Sequence, residues 1–111
     1  MANQKIQIVT QDKGYGDVLI VSPICLQIAS GDSVIWRNRA RFPVIVNVLR
    51  FTDDGRLTLN LHELQDSEPQ TFVNPSNTEP WSMPYVVQPA PNVQLSAGME
   101  GSNTILIAAA A

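Results

Sequence analysis

Short runs rich in Val, Ile and Leu recur along the whole chain, broken by Gly, Asp, Asn and Pro, and no stretch holds its apolar residues at helical spacing. That pattern fits strands, whose side chains alternate between two faces, and does not fit amphipathic helices. It predicts strands near Lys5–Val9, Asp17–Val21, Cys25–Ile28, Ser33–Asn38, Val44–Phe51, Leu57–Leu61, Tyr85–Gln88 and Asn103–Ala108. The expected fold is all-β, a two-sheet Greek-key sandwich. At 111 residues the chain matches one domain, 1–111, large enough to bury a core without metal or disulfide staples.

Turn chemistry marks the joints. Lys13-Gly14-Tyr15-Gly16, Ser30-Gly31-Asp32 and Thr52-Asp53-Asp54-Gly55-Arg56 combine Gly, which accepts positive φ, with Asp, which bonds back to the local backbone. Asp54-Gly55 is the strongest hairpin signal and predicts that Val44–Phe51 pairs with Leu57–Leu61. From Glu68 to Pro91 the texture changes, with Pro69, Pro75, Pro80, Pro84, Pro89 and Pro91. Proline donates nothing to a ladder, so this stretch is expected to be loop or edge strand rather than central strand.

The composition narrows the function. Charged residues make up only 15% of the chain against 44% hydrophobic, so charge opposes contact between apolar patches weakly. The net charge of −3 repels phosphate backbones, and no nucleic-acid partner is expected. The single cysteine, Cys25, rules out an intramolecular disulfide and any Cys-x-x-Cys site. No window approaches the roughly 20 apolar residues of a membrane helix. The start carries no signal-peptide pattern, so the expected location is cytoplasmic if Met1 is the natural start.

Two motifs carry a resemblance. Leu26-Gln27-Ile28-Ala29-Ser30-Gly31-Asp32-Ser33-Val34-Ile35-Trp36-Arg37-Asn38, followed by Phe42-Pro43-Val44, resembles the plastocyanin-like cupredoxins, in which a strand ending in Asn leads to Phe-Pro-His. Ala97-Gly98-Met99-Glu100-Gly101 before Thr104-Ile105-Leu106-Ile107 is similar to the Gly-Met-x-Gly element ahead of that family's last strand. The resemblance implies a cupredoxin-like sandwich whose copper ligands are missing. A blue-copper site needs two imidazoles and a thiolate with a weak axial ligand. Val44 stands where the first histidine belongs, and Tyr85-Val86-Val87-Gln88-Pro89-Ala90-Pro91 holds neither the cysteine nor the second histidine. Only Met99 occupies a ligand-like position, so no cofactor is expected.

The remaining candidates are contact residues. Arg37, Arg39 and Arg41 recur at every second position; on an extended strand they share one face and suit an anion or acidic partner. The plainer alternative is a solvated strand end beside Asp32, Asp53 or Asp54. Glu63, Asp66 and Glu68 around His62 lack the spacing of a calcium loop and read as a solvated loop. Trp36 sits in a period-two pattern and is expected to anchor the core. Trp81, Met83 and Tyr85 lie among prolines, where rigid aromatics suit either an interface or a plug on the domain.

Together these features predict a metal-free, non-enzymatic binding or structural module. It would act on itself or on an unknown protein partner through Phe42, Val44, Trp81, Met83, Tyr85 and the three arginines. The competing expectation is a metal or redox protein using His62 and Met99, with Cys25 as a possible third group. No nucleophile–base motif or phosphate-cradling glycine loop supports an enzyme.

Overall fold

The computed structural model describes residues 3–12, 17–52, 55–90 and 103–109. Nine strands form two sheets: β1 (Asn3–Asp12), β2 (Asp17–Ser22), β3 (Cys25–Ile28), β4 (Ser33–Asn38), β5 (Val44–Thr52), β6 (Gly55–Leu61), β7 (Gln70–Thr71), β8 (Trp81–Pro89) and β9 (Asn103–Ile107). One sheet has the order β2-β1-β4-β7 and the other β3-β9-β8-β5-β6. Each is mixed, with β1–β4 and β3–β9 parallel and the other pairs antiparallel. The chain crosses repeatedly between the sheets, so their inner faces close over one core.

Alternation places that core. Val34, Trp36 and Asn38 of β4 point inward, as do Val44, Val46 and Val48 of β5, Met83, Tyr85 and Val87 of β8, and Ile105 and Ile107 of β9. Trp36 spans the gap between the sheets. Its ring meets Phe72 edge-on at 6.1 Å and Tyr85 edge-on at 5.6 Å, the perpendicular arrangement that sets ring edges against electron-rich faces.

All eight expected strands are present, as is the pairing of β5 with β6. Gly55 already belongs to β6 and pairs with Thr52, so it lies one step past the expected turn centre; residues 53–54 are outside the described residues, as are 13–16. At the Ser30-Gly31-Asp32 turn the signal held: Gly31 has φ 93°, and Asp32 Oδ2 accepts the Ala29 N–H at 3.0 Å.

The proline-rich segment is where the expectation fails. Residues 70–71 do form a short edge strand, but β8 is a nine-residue strand at the middle of its sheet. The register explains how prolines are tolerated there. β8 pairs with β9 over Trp81–Tyr85 and with β5 over Tyr85–Pro89, so the two ladders share only Tyr85. Pro84 lies in the half paired to β9 alone, Pro89 closes the ladder to β5, and Pro80 precedes the strand. None sits where the strand is paired on both sides.

The edge of β4 is covered by the segment after β6. Asn38 N–H donates to Gln65 O, Ser67 N–H to Trp36 O and Phe72 N–H to Asp32 O, while Arg37 and Asp66 form a bridge. At the irregular step near Pro69, Ser67 Oγ accepts the Trp36 N–H at 2.9 Å. This hydroxyl keeps a buried backbone donor satisfied where the strand pairing is interrupted.

Because Trp36 fills the space between the sheets, Trp36→Ala is expected to cost about 3–5 kcal/mol. Urea denaturation monitored by far-ultraviolet circular dichroism checks this; a loss below about 1 kcal/mol would mean that the ring is not the packing centre.

Candidate functional site

The end of the sandwich where β4 leads into β5 is organised by one buried side chain. Asn38 is fully buried. Its Nδ2 donates to Phe42 O at 3.0 Å and to His62 O at 2.9 Å, and its Oδ1 accepts the Ala40 N–H at 2.9 Å. The amide therefore laces the 39–43 loop to the turn after β6. A second staple, Asn74, holds the opposite end: its Nδ2 donates to the carbonyls of Glu79, Ile107 and Ala108. In the sequence Asn38 figured only as the end of a strand motif and Asn74 not at all, because the distant carbonyls that each amide reaches belong to other segments.

The turn after β6 holds its shape by local bonds. His62 N–H donates to Gln65 Oε1 at 2.8 Å, Gln65 N–H to His62 O, and Leu64 N–H to Ala40 O at 3.2 Å. Leu64 is the one non-glycine residue with positive φ, 58°, among the described residues. A Cβ in that region crowds the following carbonyl, at a cost of roughly 1–2 kcal/mol. Its side chain is nonetheless 54% exposed, so the turn holds a strained apolar residue out to solvent. Its bond to Ala40 sets it beside the loop bearing exposed Arg39 and Arg41 and half-buried Phe42.

β4 ends at Asn38 and the chain bends through 40–42, so only Arg37 stands on the extended strand, while Arg39 and Arg41 are exposed beyond it. Arg37 and Arg39 converge on Asp66, at 3.3 Å and 3.9 Å; Asp53 and Asp54 lie outside the described residues. These partly exposed pairs are worth at most about 1 kcal/mol. Beside Asp66 an open groove of about 260 Å³ runs between the β6 edge and residues 65–70, lined by polar groups such as Asn60, Glu68 and Gln70.

The other expected contact residues separate into distinct places. Val44, Met83 and Tyr85 are each only 1% exposed, because their strand alternation turns them inward; they belong to the core and present no surface. Trp81 is half-buried against the core at the start of β8. The Phe42–Val44 segment lies by the far end of that strand, where Val44 pairs with Pro89. The eight steps of about 3.4 Å from Trp81 to Pro89 put the two regions roughly 27 Å apart, so they cannot make one contact patch.

The same register brings the two ligand-bearing segments of the cupredoxin pattern together, with Val44 directly opposite Pro89. Neither side chain has a donor atom, so this pair does not fit copper. His62 is exposed beyond β6 and Cys25 is exposed at the start of β3. These are the two outer strands of the five-stranded sheet, four spacings or roughly 19 Å apart, which excludes a Cys–His pair. No three or more His, Cys, Asp or Glu side chains form a metal-holding group among the described residues. Met99 lies outside the described residues.

Known structures share this architecture. A methionine-to-alanine mutant of amicyanin in the Cu(I) state aligns with TM-score 0.58 and 16% identity over 95% of this chain and 81% of that one. The fold is cupredoxin-like. Fet3p, a multicopper oxidase that functions in iron import, aligns with TM-score 0.51 and 10% identity over 97% of this chain and 28% of its own length, so this cupredoxin-like chain spans less than a third of that enzyme. No family model and no curated protein matches the sequence. No helix among the described residues is long and apolar enough to cross a membrane.

Two outcomes follow from this geometry. Asn38→Leu, similar in size, leaves two carbonyls and one N–H without their partner and is expected to destabilise by about 1–3 kcal/mol for each group that stays buried, read from denaturant midpoints. Burial, opposed more weakly by the nearby Trp36 indole, holds the Tyr85 hydroxyl well above its ordinary pKa. The unfolded chain then releases that proton first, so stability present below about pH 10 declines as pH rises above it. Tyr85→Phe is expected to flatten this alkaline decline in a pH series of melting curves; an unchanged slope would assign the decline to other groups.

Proposed function

We propose that this cupredoxin-like chain is a binding module, neither a copper electron carrier nor an enzyme. It makes a protein contact through the end built by loop 39–43 and turn 62–65. The observation that carries this reading is Leu64, which combines left-handed backbone with an exposed apolar side chain. Strain of this kind persists only when the surroundings impose it, and it concentrates at functional positions. A turn selected for stability alone would place glycine there, since glycine adopts that φ without a Cβ clash.

The flanking groups define the partner chemistry. Leu64 and Phe42 offer an apolar centre, and exposed Arg39 and Arg41 offer a cationic rim. Their natural complement is an apolar spot bordered by carboxylates, because guanidinium forks match carboxylate geometry. A second copy of this acidic chain meets that description as well as a separate protein does. The absence of nitrogen and sulfur donors at Val44 and Pro89 supports binding over copper chemistry at the place where the cupredoxin pattern puts its metal.

The deciding comparison is between wild type, Leu64→Gly and Arg41→Glu, by light scattering across a concentration series and by retention of cellular proteins. Leu64→Gly is expected to raise stability by up to about 1 kcal/mol through relief of strain, while weakening the contact at least tenfold; Arg41→Glu weakens it without the gain in stability. A strictly monomeric protein with no partner sensitive to either change would defeat the proposal. Stoichiometric copper binding in calorimetry, lost in His62→Ala, would replace it with a metal site at this end.

A further inference from the structure

Strand alternation turns Val46 of β5, Met83 and Val87 of β8, and Ile105 of β9 into the core, so the residues between them point out of the five-stranded sheet. Thr58 Oγ1 donates to Asn47 Oδ1 at 2.9 Å, which fixes the outward sides of β5 and β6 as one face. The middle of that face holds Ile45 and Asn47 on β5, Pro84, Val86 and Gln88 on β8, and Leu106 on β9, and none of these side chains is charged. The four-stranded sheet differs, because its outward positions include exposed Lys5 on β1 and partly exposed Arg37 on β4.

The registers join the apolar members into a stripe. Ile45 stands opposite Gln88 and Asn47 opposite Val86, so Ile45 and Val86 are diagonal neighbours; Pro84 stands opposite Thr104 and Ser82 opposite Leu106, so Pro84 and Leu106 are diagonal neighbours too. Diagonal pairs lie about 7–8 Å apart, within reach of longer side chains, and Val86 and Pro84 are two positions apart on one strand. The half-buried stripe Ile45–Val86–Pro84–Leu106 therefore crosses three strands. Neutral amides and hydroxyls flank it. A solvated antiparallel sheet turns a polar face to water, whereas depletion of charge around an apolar centre is the composition of a protein interface.

Area and charge select the occupant. β8 is nine residues long and runs beside β5 and β6 over one half and beside β9 and β3 over the other. At strand spacing the face measures roughly 450 Å² in plan, so two copies pressed together cover about 900 Å² before side-chain relief is counted, close to the ~1,000 Å² of a specific interface. Each chain has a net charge of −3, so two copies repel through their charged surfaces and least across an uncharged one. Amides and hydroxyls both donate and accept, so such a face can pair with itself about a two-fold axis. A charged partner would bury its charge against groups that supply no counter-ion. We propose that this chain forms a two-fold dimer by packing the outer faces of two five-stranded sheets, centred on Pro84 and Val86. This dimer does not rest on the contact proposed for the Leu64 end.

Sedimentation velocity of the full chain from micromolar to millimolar concentration tests this, with wild type beside Val86→Lys, Gln88→Lys and Leu64→Gly. Wild type is expected to shift from the mass of one chain to that of two. Both lysine variants are expected to raise the dissociation constant at least tenfold, and Leu64→Gly to leave it unchanged. Lysine also lowers the net negative charge, so a weakened dimer cannot be assigned to general repulsion between acidic chains. Gln88 is already exposed, so its variant keeps the test decisive if Val86→Lys fails to fold, which circular dichroism reports. A wild type that stays monomeric throughout overturns the dimer, even if a different cellular protein binds this face. Association that survives the folded lysine variants, or is lost in Leu64→Gly alone, overturns this face as the contact.

Discussion

Trp36 is the residue on which the two sheets depend. Its ring lies between Phe72 from the segment beside β7 and Tyr85 from β8, so one side chain joins elements that are far apart in sequence. Its backbone is committed as well, with the N–H donated to Ser67 Oγ and the carbonyl accepting the Ser67 N–H. Packing and edge protection meet at one residue: the ring closes the core, while the main chain holds the strap that covers β4. Without that strap, the inner part of the sheet would end in a row of unpaired donors and acceptors.

The two ends of the sandwich follow a common logic. Each is held by a buried asparagine whose amide bonds to several main-chain carbonyls, Asn38 at one end and Asn74 at the other. An amide is suited to this because it presents two donors and an acceptor without carrying charge into the core. The consequence at the Asn38 end is conformational. With His62 O and Phe42 O fixed to one side chain, the turn after β6 keeps Leu64 in a conformation it would otherwise leave.

The candidate site was legible in the sequence only in part. The Phe42-Pro43-Val44 pattern lies at the end that Asn38 organises, but the arginines, read as one face or a solvated strand end, include Arg37 and Arg39 sharing Asp66, a partner from a distant segment. Trp81, Met83 and Tyr85 were grouped because they are adjacent in a proline-rich stretch. In a strand, adjacency splits residues between faces, and β8 sends Met83 and Tyr85 into the core. Leu64 carried no signal at all. Nothing in His62-Glu63-Leu64-Gln65 marks a left-handed residue, since the glycine or asparagine that usually announces one is missing.

What the sequence determined by itself was local: the all-β character, the position of most strands, the Gly31-Asp32 turn, the β5–β6 pairing and Trp36 as a core residue. Each follows from the period of two along a strand or from the φ preference of a turn residue, and both act over a few positions. Tertiary structure decided the rest. Pro84 is tolerated in a central strand because the ladders to β5 and β9 overlap only at Tyr85, a register that no local rule contains. The separation of Trp81 from Phe42 and of Cys25 from His62, and the ring contact of Trp36 with Tyr85, are likewise set by the sheet arrangement. Hydrogen bonds between strands depend on which segments become neighbours, and that is fixed only when both faces of the sandwich are buried at once.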